Sequence, residues 1–307
     1  MELNLIKLGF SLITCAIVVV GSLINNCEKY LPIFVAQTFR YGKFAYKSNG
    51  KSVLLKPIEV PKRWFRHFYV FAGIWSTLCL VSCIFLYFSF GQLPDVFLKV
   101  LDFVSTSHRK AEVTAISSLI AASLIFLQCW RRFYETFYIS VFSEGKMNAS
   151  HYLIGYAHYC GAITAIMAEA PGFTKISFEY KSVVTMSELK MSDVVGVLIF
   201  LWAWYHQYVS AVILADLRKN KNGSVVSLKH SIPHGDLFEL VSSPHLLCEF
   251  IMYLSLMFIL WGNTVWPFVL VWVLSNQMET ALLSHWWYLS NFKDYPKRRR
   301  AFIPYVL

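Results

Sequence analysis

Apolar residues in this chain gather into long runs separated by short polar stretches. Seven runs predict spans at roughly 5–26, 68–90, 113–130, 151–168, 194–215, 246–261 and 265–289. Crossing a hydrocarbon core of ~30 Å takes roughly 20 apolar residues as helix. Helix is expected for all seven, because lipid offers no partner to an unpaired backbone group. Phe68 to Phe90, 23 residues without a formal charge, is the clearest. The last two runs form one apolar stretch broken at Gly262-Asn263-Thr264, and Pro267 suits the first turn of a restarting helix. The run from Leu8 to Leu23 is followed by no convincing cleavage site, so it is expected to be retained as the first span. No fixed-period repeat or Pro-rich linker divides residues 1–307, which read as one integral membrane domain.

Composition removes the soluble alternatives. The 307 residues are 56% hydrophobic and 15% charged, with a mean hydropathy of +0.49, whereas soluble chains carry about 25% charged residues. A soluble enzyme, a DNA-binding domain, a disulfide-rich secreted module and a disordered tail are excluded. The fold class is all-α and polytopic. The net charge of +10 does not mark a nucleic-acid binder, because Lys and Arg sit between the apolar runs, as membrane orientation requires. With the N-terminus lumenal, segments assigned to the cytosol carry 21 Lys and Arg against seven elsewhere, which predicts a cytosolic C-terminus. The triplets Asn148-Ala149-Ser150 and Asn222-Gly223-Ser224 then face the cytosol, and neither is expected to be glycosylated. The seven cysteines include no CxxC pair and read as small core residues, not as disulfides or metal ligands.

Ionisable groups at membrane depth are expensive and tend to be functional. His206, Asp216, Glu249, Glu279 and His285 concentrate in the C-terminal half. Each could equally make an interhelical hydrogen bond or sit at the interface, and a transporter could use them too. The loop 216–245 combines Leu217-Arg218-Lys219-Asn220-Lys221-Asn222-Gly223 with Pro233-His234-Gly235-Asp236. Cations beside free backbone N–H groups suit phosphate oxygens, although a solvated juxtamembrane loop has the same composition. Lys297-Arg298-Arg299-Arg300 fits a lipid headgroup or a nucleotide phosphate. No GxGxxG after a strand, GxxxxGK[ST], HExxH or GxSxG occurs. A nucleotide would therefore have to bind among helices and loops at the membrane surface.

From Leu217-Arg218-Lys219 onward the chain resembles a known family. The resemblance runs through Ile232-Pro233-His234-Gly235-Asp236-Leu237-Phe238-Glu239, Val241-Ser242-Ser243-Pro244-His245 and Glu249. It continues through Asn276-Gln277, His285, Tyr288, Phe292 and Tyr295-Pro296-Lys297-Arg298-Arg299-Arg300-Ala301-Phe302-Ile303-Pro304. This pattern is similar to the C-terminal signature of the steroid 5α-reductase family. Arg40-Tyr41-Gly42-Lys43, Val60-Pro61-Lys62-Arg63-Trp64-Phe65, His67-Phe68-Tyr69, Arg131-Arg132-Phe133, Tyr138 to Ser143 and His206-Gln207-Tyr208 resemble its polyprenol (polyprenal) reductase branch.

The resemblance implies a seven-helix enzyme of the endoplasmic reticulum membrane that takes NADPH from the cytosol and reduces the α-isoprene double bond of a long-chain polyprenoid. Its product, dolichol, serves protein N-glycosylation. Residues 1–190 would supply substrate-side helices and 191–307 a reductase core. Arg218, Asp236, Tyr288, Glu249 and Arg299 would line or support the cofactor site, and His285 would stand beside the reacting centre. His245 stands where relatives usually have Asn, so an imidazole replaces one amide contact. Steroid-reducing members use a glutamate in the first third to bind the carbonyl; here the segment reads Val35-Ala36-Gln37-Thr38-Phe39. Tyr138 and His285 then become the candidates for polarising the substrate.

Hydride adds readily only to a carbon made electrophilic. In an enal the arriving charge moves onto oxygen, where a donor stabilises it, and a Tyr or His suits the later proton transfer. An allylic alcohol lacks that sink, which favours polyprenal over polyprenol. The alternatives are a 3-oxo-Δ4-steroid 5α-reductase, a membrane methyltransferase and a non-enzymatic transporter or scaffold.

Overall fold

The computed structural model describes residues 2–32, 59–174, 184–220 and 222–307. The motif at Arg40-Tyr41-Gly42-Lys43 and the segment Val35 to Phe39 lie outside the described residues. Eight α-helices occur among the described residues: α1 (Leu5–Cys27), α2 (Phe65–Tyr87), α3 (Asp95–Val104), α4 (Ala115–Tyr134), α5 (Ala149–Ala168), α6 (Met191–Asp216), α7 (Pro244–Ile259) and α8 (Trp266–Asn291). Each of the seven apolar runs coincides with a helix. Leu5–Cys27, Lys62–Tyr87 and Met191–Asp216 are long and apolar enough to cross a membrane, and the chain is a mostly helical membrane protein. The outward faces of these three helices carry exposed Leu12, Ile74, Leu78, Val81 and Leu198, which lipid covers at no hydrophobic cost.

The boundaries differ from expectation for local reasons. The run 113–130 was expected to stop before Arg131-Arg132. Helix α4 instead continues to Tyr134 and through a π-helical turn, Glu135–Ile139, because the buried carboxylate of Glu135 receives both guanidinium groups. Helix α2 ends at Tyr87, three residues before Phe90, where Ser89 takes a positive φ of 61°. Helix α3 had no counterpart in the apolar pattern, since it is short and one-sided. It buries Leu98 and Leu101 and leaves Val96, Val100 and Phe103 exposed. Arg109 ties it down, donating to Asp102 Oδ1 at 2.7 Å and to the carbonyl oxygens of Ala168 and Phe173 at 2.9 and 2.6 Å.

The break before α8 falls at Gly262-Asn263-Thr264. Asn263 Oδ1 accepts from the N–H groups of Val265 and Trp266 at 2.9 and 2.8 Å, satisfying orphan donors of the new helix. Gly262 is required there, because a Cβ would lie 2.8 Å from Glu112 O and φ is 105°. Helix α6 packs along α7, α2 along α4 and α5, and α1 along α8. Two short strands, β1 (Glu59–Pro61) and β2 (Lys146–Asn148), pair antiparallel with Val60 opposite Met147. They join the start of α2 to the start of α5. Asn148, the acceptor residue of the first glycosylation triplet, is buried and caps α5 by accepting from Ser150 N at 2.8 Å.

Candidate active site

A cavity of about 350 Å³ opens where the C-terminal ends of α6 and α8 meet the N-terminal ends of α2 and α7. Lys62, Arg218 and Lys229 place three cations on its wall, with Ser242, Ser243 and Tyr288 among the remaining lining groups. Arg218 Nη1 donates to Val141 O, and Nη2 lies 3.4 Å from His230 Nε2. Burial pulls the pKa of Arg218 below its ordinary value, partly opposed by nearby Tyr288. A guanidinium stays charged in this setting, so the wall presents a partly desolvated cation that an anion would relieve. Lys219 Nζ donates to Ile139 O at 3.2 Å, fastening the same loop to the π-helical turn.

A second cavity of about 370 Å³ lies deeper, between α1, α2, α5, α7 and α8. Ile13, Ile17, Phe68, Ile154 and Trp272 make it largely apolar. The two cavities share Phe65, His245 and Thr280. Each shared residue has a neighbour four positions away on its own helix that lines the deeper cavity: Tyr69, Glu249 and Asn276. That spacing is one helical turn, about 6 Å. Three helices thus build a ring at the junction and a more polar ring one turn further in.

A buried polar network backs the inner ring. Glu249 accepts from the Gln207 amide and, at 3.3 Å, from Gln128 Nε2. Gln207 Oε1 accepts from Arg131 and, at 2.8 Å, from Gln128 Nε2, while Gln207 Nε2 also donates to His245 O at 3.0 Å. Arg132 donates to Glu135 and, through Nη2 at 3.0 Å and Nε at 3.3 Å, to the Tyr69 hydroxyl. Two cations and two carboxylates balance, the condition for burying charge at tolerable cost.

The expected site residues divide accordingly. Arg218 and Tyr288 line the outer cavity, Glu249 the inner one, and His245 both. His285 lines neither; its Nδ1 lies 2.7 Å from Ser242 Oγ, and Ser242 lines the outer cavity. Tyr138 is 70% exposed on the π-helical turn, with its ring against Tyr134, away from both cavities. Asp236 is paired with His206 Nδ1 at 2.8 Å. Arg299 is fully buried, donating to Pro233 O at 3.0 Å with its guanidinium over the Tyr295 ring. Both hold the loop that walls the cavity. Glu239 belongs to the same loop: the Gly235 N–H and Arg299 hold its carboxyl below the usual range. Glu279 pairs with Asn25 between α1 and α8. Among the described residues, no three His, Cys, Asp or Glu side chains gather to hold a metal.

Residues 172–307 match the family model described as 3-oxo-5-alpha-steroid 4-dehydrogenase. A polyprenal reductase of Drosophila melanogaster is 39% identical over 310 residues, covering 100% of this chain and 94% of the relative. Polyprenal reductases of Caenorhabditis elegans and Homo sapiens are 35% and 33% identical, each over 87% of this chain and 85% and 84% of their own length. The chain belongs to the steroid 5α-reductase family. Within the steroid 5α-reductase match fall the loop from Arg218 to His245 and all of α8, hence most of the outer cavity. The inner cavity draws mainly on residues before it, including Tyr69, Arg132 and His151.

Sequence reasoning passed over Lys62, Tyr69, Arg132 and Gln207, which stand in the motifs that carry the family resemblance but had no role there. Gln128 and Glu135 carried one usable signal: polar groups within or abutting an apolar run, where burial demands a partner.

Proposed function

We propose that this protein is an NADPH-dependent reductase of the α-isoprene double bond of polyprenal, producing the saturated precursor of dolichol for protein N-glycosylation. The observation that carries the reading is the meeting of a cationic cavity and an apolar one at Phe65, His245 and Thr280. A charged dinucleotide and a greasy enal need such separate compartments with a shared wall. The similarity to polyprenal reductases supports the substrate.

The residues of the outer cavity fit a phosphorylated dinucleotide. Lys62, Arg218 and Lys229 offer cations to its phosphates, and Ser242, Ser243 and Tyr288 offer hydroxyls to its polar groups. Bound there, NADPH supplies a hydride. His285 holds Ser242 in place, while the loop carrying Asp236 and Arg299 closes the wall. The apolar lining of the inner cavity accommodates isoprene units.

In this reading all seven apolar helices cross the endoplasmic reticulum membrane, with the N-terminus lumenal and the C-terminus cytosolic. The outer cavity then opens to cytosolic NADPH, consistent with the excess of Lys and Arg on that side.

Purified protein, NADPH and either a polyprenal or the matching polyprenol decide the reaction. Saturation of the aldehyde, lost in Arg218→Ala, is expected. Rapid turnover of the alcohol alone would overturn the aldehyde assignment, and no NADPH binding would overturn the reductase reading.

A further inference from the structure

We infer that Tyr69, backed by Arg132, is the group that binds and polarises the substrate carbonyl. The inference rests on the enal reading above and names the catalytic donor for it. An electron pair pushed toward a carbonyl oxygen needs an N–H or O–H aimed at that oxygen from a dry wall. Several polar groups around the inner cavity are already committed. Glu249 is an acceptor, and both Gln207 N–H groups are spent on Glu249 and His245 O. Trp272 donates to His158 Nδ1 at 3.2 Å, and the other ring nitrogen meets the Tyr253 hydroxyl at 2.8 Å.

Tyr69 differs. Its oxygen accepts from Arg132 Nη2 and Nε at 3.0 and 3.3 Å, and a guanidinium cannot accept in return. The hydroxyl proton must therefore point away from Arg132, and both side chains line the inner cavity. Two donated hydrogen bonds from a cation make the phenol a stronger donor, because they stabilise the charge it would acquire. Glu135 fixes the guanidinium from its other edge. Tyr69 also stands one turn inside Phe65, about 6 Å beyond the junction between cavities, a position suited to an oxygen three bonds from the carbon that receives hydride.

The step balances without further reagents. The incoming hydride forms a C–H bond at the β-carbon. The former C=C π pair becomes the second bond between the α-carbon and the carbonyl carbon, and the C=O π pair moves to oxygen, where the Tyr69 O–H donates to it. The enolate then regains C=O as its α-carbon takes a proton from water. Tyr69 is the catalytic donor and Arg132 its positioning residue.

The test uses a short prenal aldehyde, ¹³C-labelled at the carbonyl, bound to full-length protein without cofactor and read by infrared difference spectroscopy. The wild type should lower the carbonyl stretch. Tyr69→Phe should bind the aldehyde with the stretch returned toward its value in apolar solvent and, with NADPH, lose about 100-fold in kcat/KM. Arg132→Lys should give an intermediate stretch, a readout that a packing role would not move. An unshifted band in Tyr69→Phe relative to wild type overturns the inference alone. A wild type that binds no enal overturns the substrate reading and this inference with it. Should Tyr69→Phe fail to fold, Arg132→Lys decides: a wild-type stretch there overturns the pairing.

Discussion

The Oγ of Ser242 lies 2.7 Å from His285 Nδ1, and Ser242, not the imidazole, forms part of the outer cavity wall. The same oxygen meets the Tyr295 hydroxyl at 2.6 Å and Arg300 O at 3.1 Å. His285 therefore joins the closing motif of the chain to the cavity through one serine.

If His285 works through Ser242, the two side chains share one function. His285→Ala and Ser242→Ala should each weaken NADPH binding about fivefold, the worth of a hydrogen bond near 1 kcal/mol. The double variant should be no worse than either single, since coupled residues are not additive. A double-mutant cycle on the NADPH dissociation constant checks this. Independent effects, or loss of turnover in His285→Ala with binding intact, would return His285 to the reacting centre.

Arg218 holds Val141 O and faces the cavity. Arg218→Ala should weaken NADPH binding by about 10- to 100-fold, as for a charge-assisted hydrogen bond of about 1.5–3 kcal/mol. Its effect should shrink as salt rises, because screening weakens partly exposed charges. Titration of the purified variant at low and high salt checks both. Unchanged affinity would remove Arg218 from the phosphate site.

Much of this architecture was legible from the apolar runs. Every run became a helix, and the Gly262-Asn263-Thr264 break fell where expected, because turn chemistry is local. What escaped was non-local. Arg131 and Arg132 looked like the end of a span until Glu135 was seen to neutralise them from the next turn. Helix α3 is amphipathic and held by Arg109 reaching across to α5, which no window of ten residues reveals. For the candidate site, the C-terminal motif already held Arg218, His245 and Tyr288, which line the outer cavity. The pairing of Tyr69 with Arg132, 63 positions later, was not legible, because it is non-local.

The orientation has its own test. A glycosylation acceptor placed after Leu307 should stay unmodified, and one at the N-terminus should be modified, in cells expressing the full chain. Electrophoretic mobility with and without glycosidase reads the result. Modification at the C-terminal end would invert the proposed topology.

Helices α6 and α7 approach closely at Gly196, where a Cβ would lie 2.6 Å from Ile259 Cγ1 and 3.1 Å from Ser255 O. The carbonyl oxygen cannot yield as a side-chain tip can. Gly196→Ala should therefore cost about 1–3 kcal/mol, the usual penalty of overpacking. A lower detergent melting temperature with unchanged NADPH affinity per folded molecule is expected, since Gly196 lies far along α6 from Arg218. Wild-type melting would show that the two helices separate freely.

The inner network makes the sharpest stability prediction, because its charges balance only as a set. Glu249 is 8% exposed and accepts from Gln207 and Gln128, whose amides lead to Arg131. Glu249→Ala would strand one positive charge among buried groups and leave a Gln207 N–H without its acceptor. Breaking a buried pair by removing one partner costs about 3–5 kcal/mol, so this variant should melt well below wild type. Removing Arg131 as well restores neutrality, and Arg131→Gln with Glu249→Gln should recover part of the loss. Thermal melts of the single and double variants in one detergent distinguish the cases. If Glu249→Ala melts like wild type, the carboxylate is not needed to balance the arginines, and the network is held by packing alone.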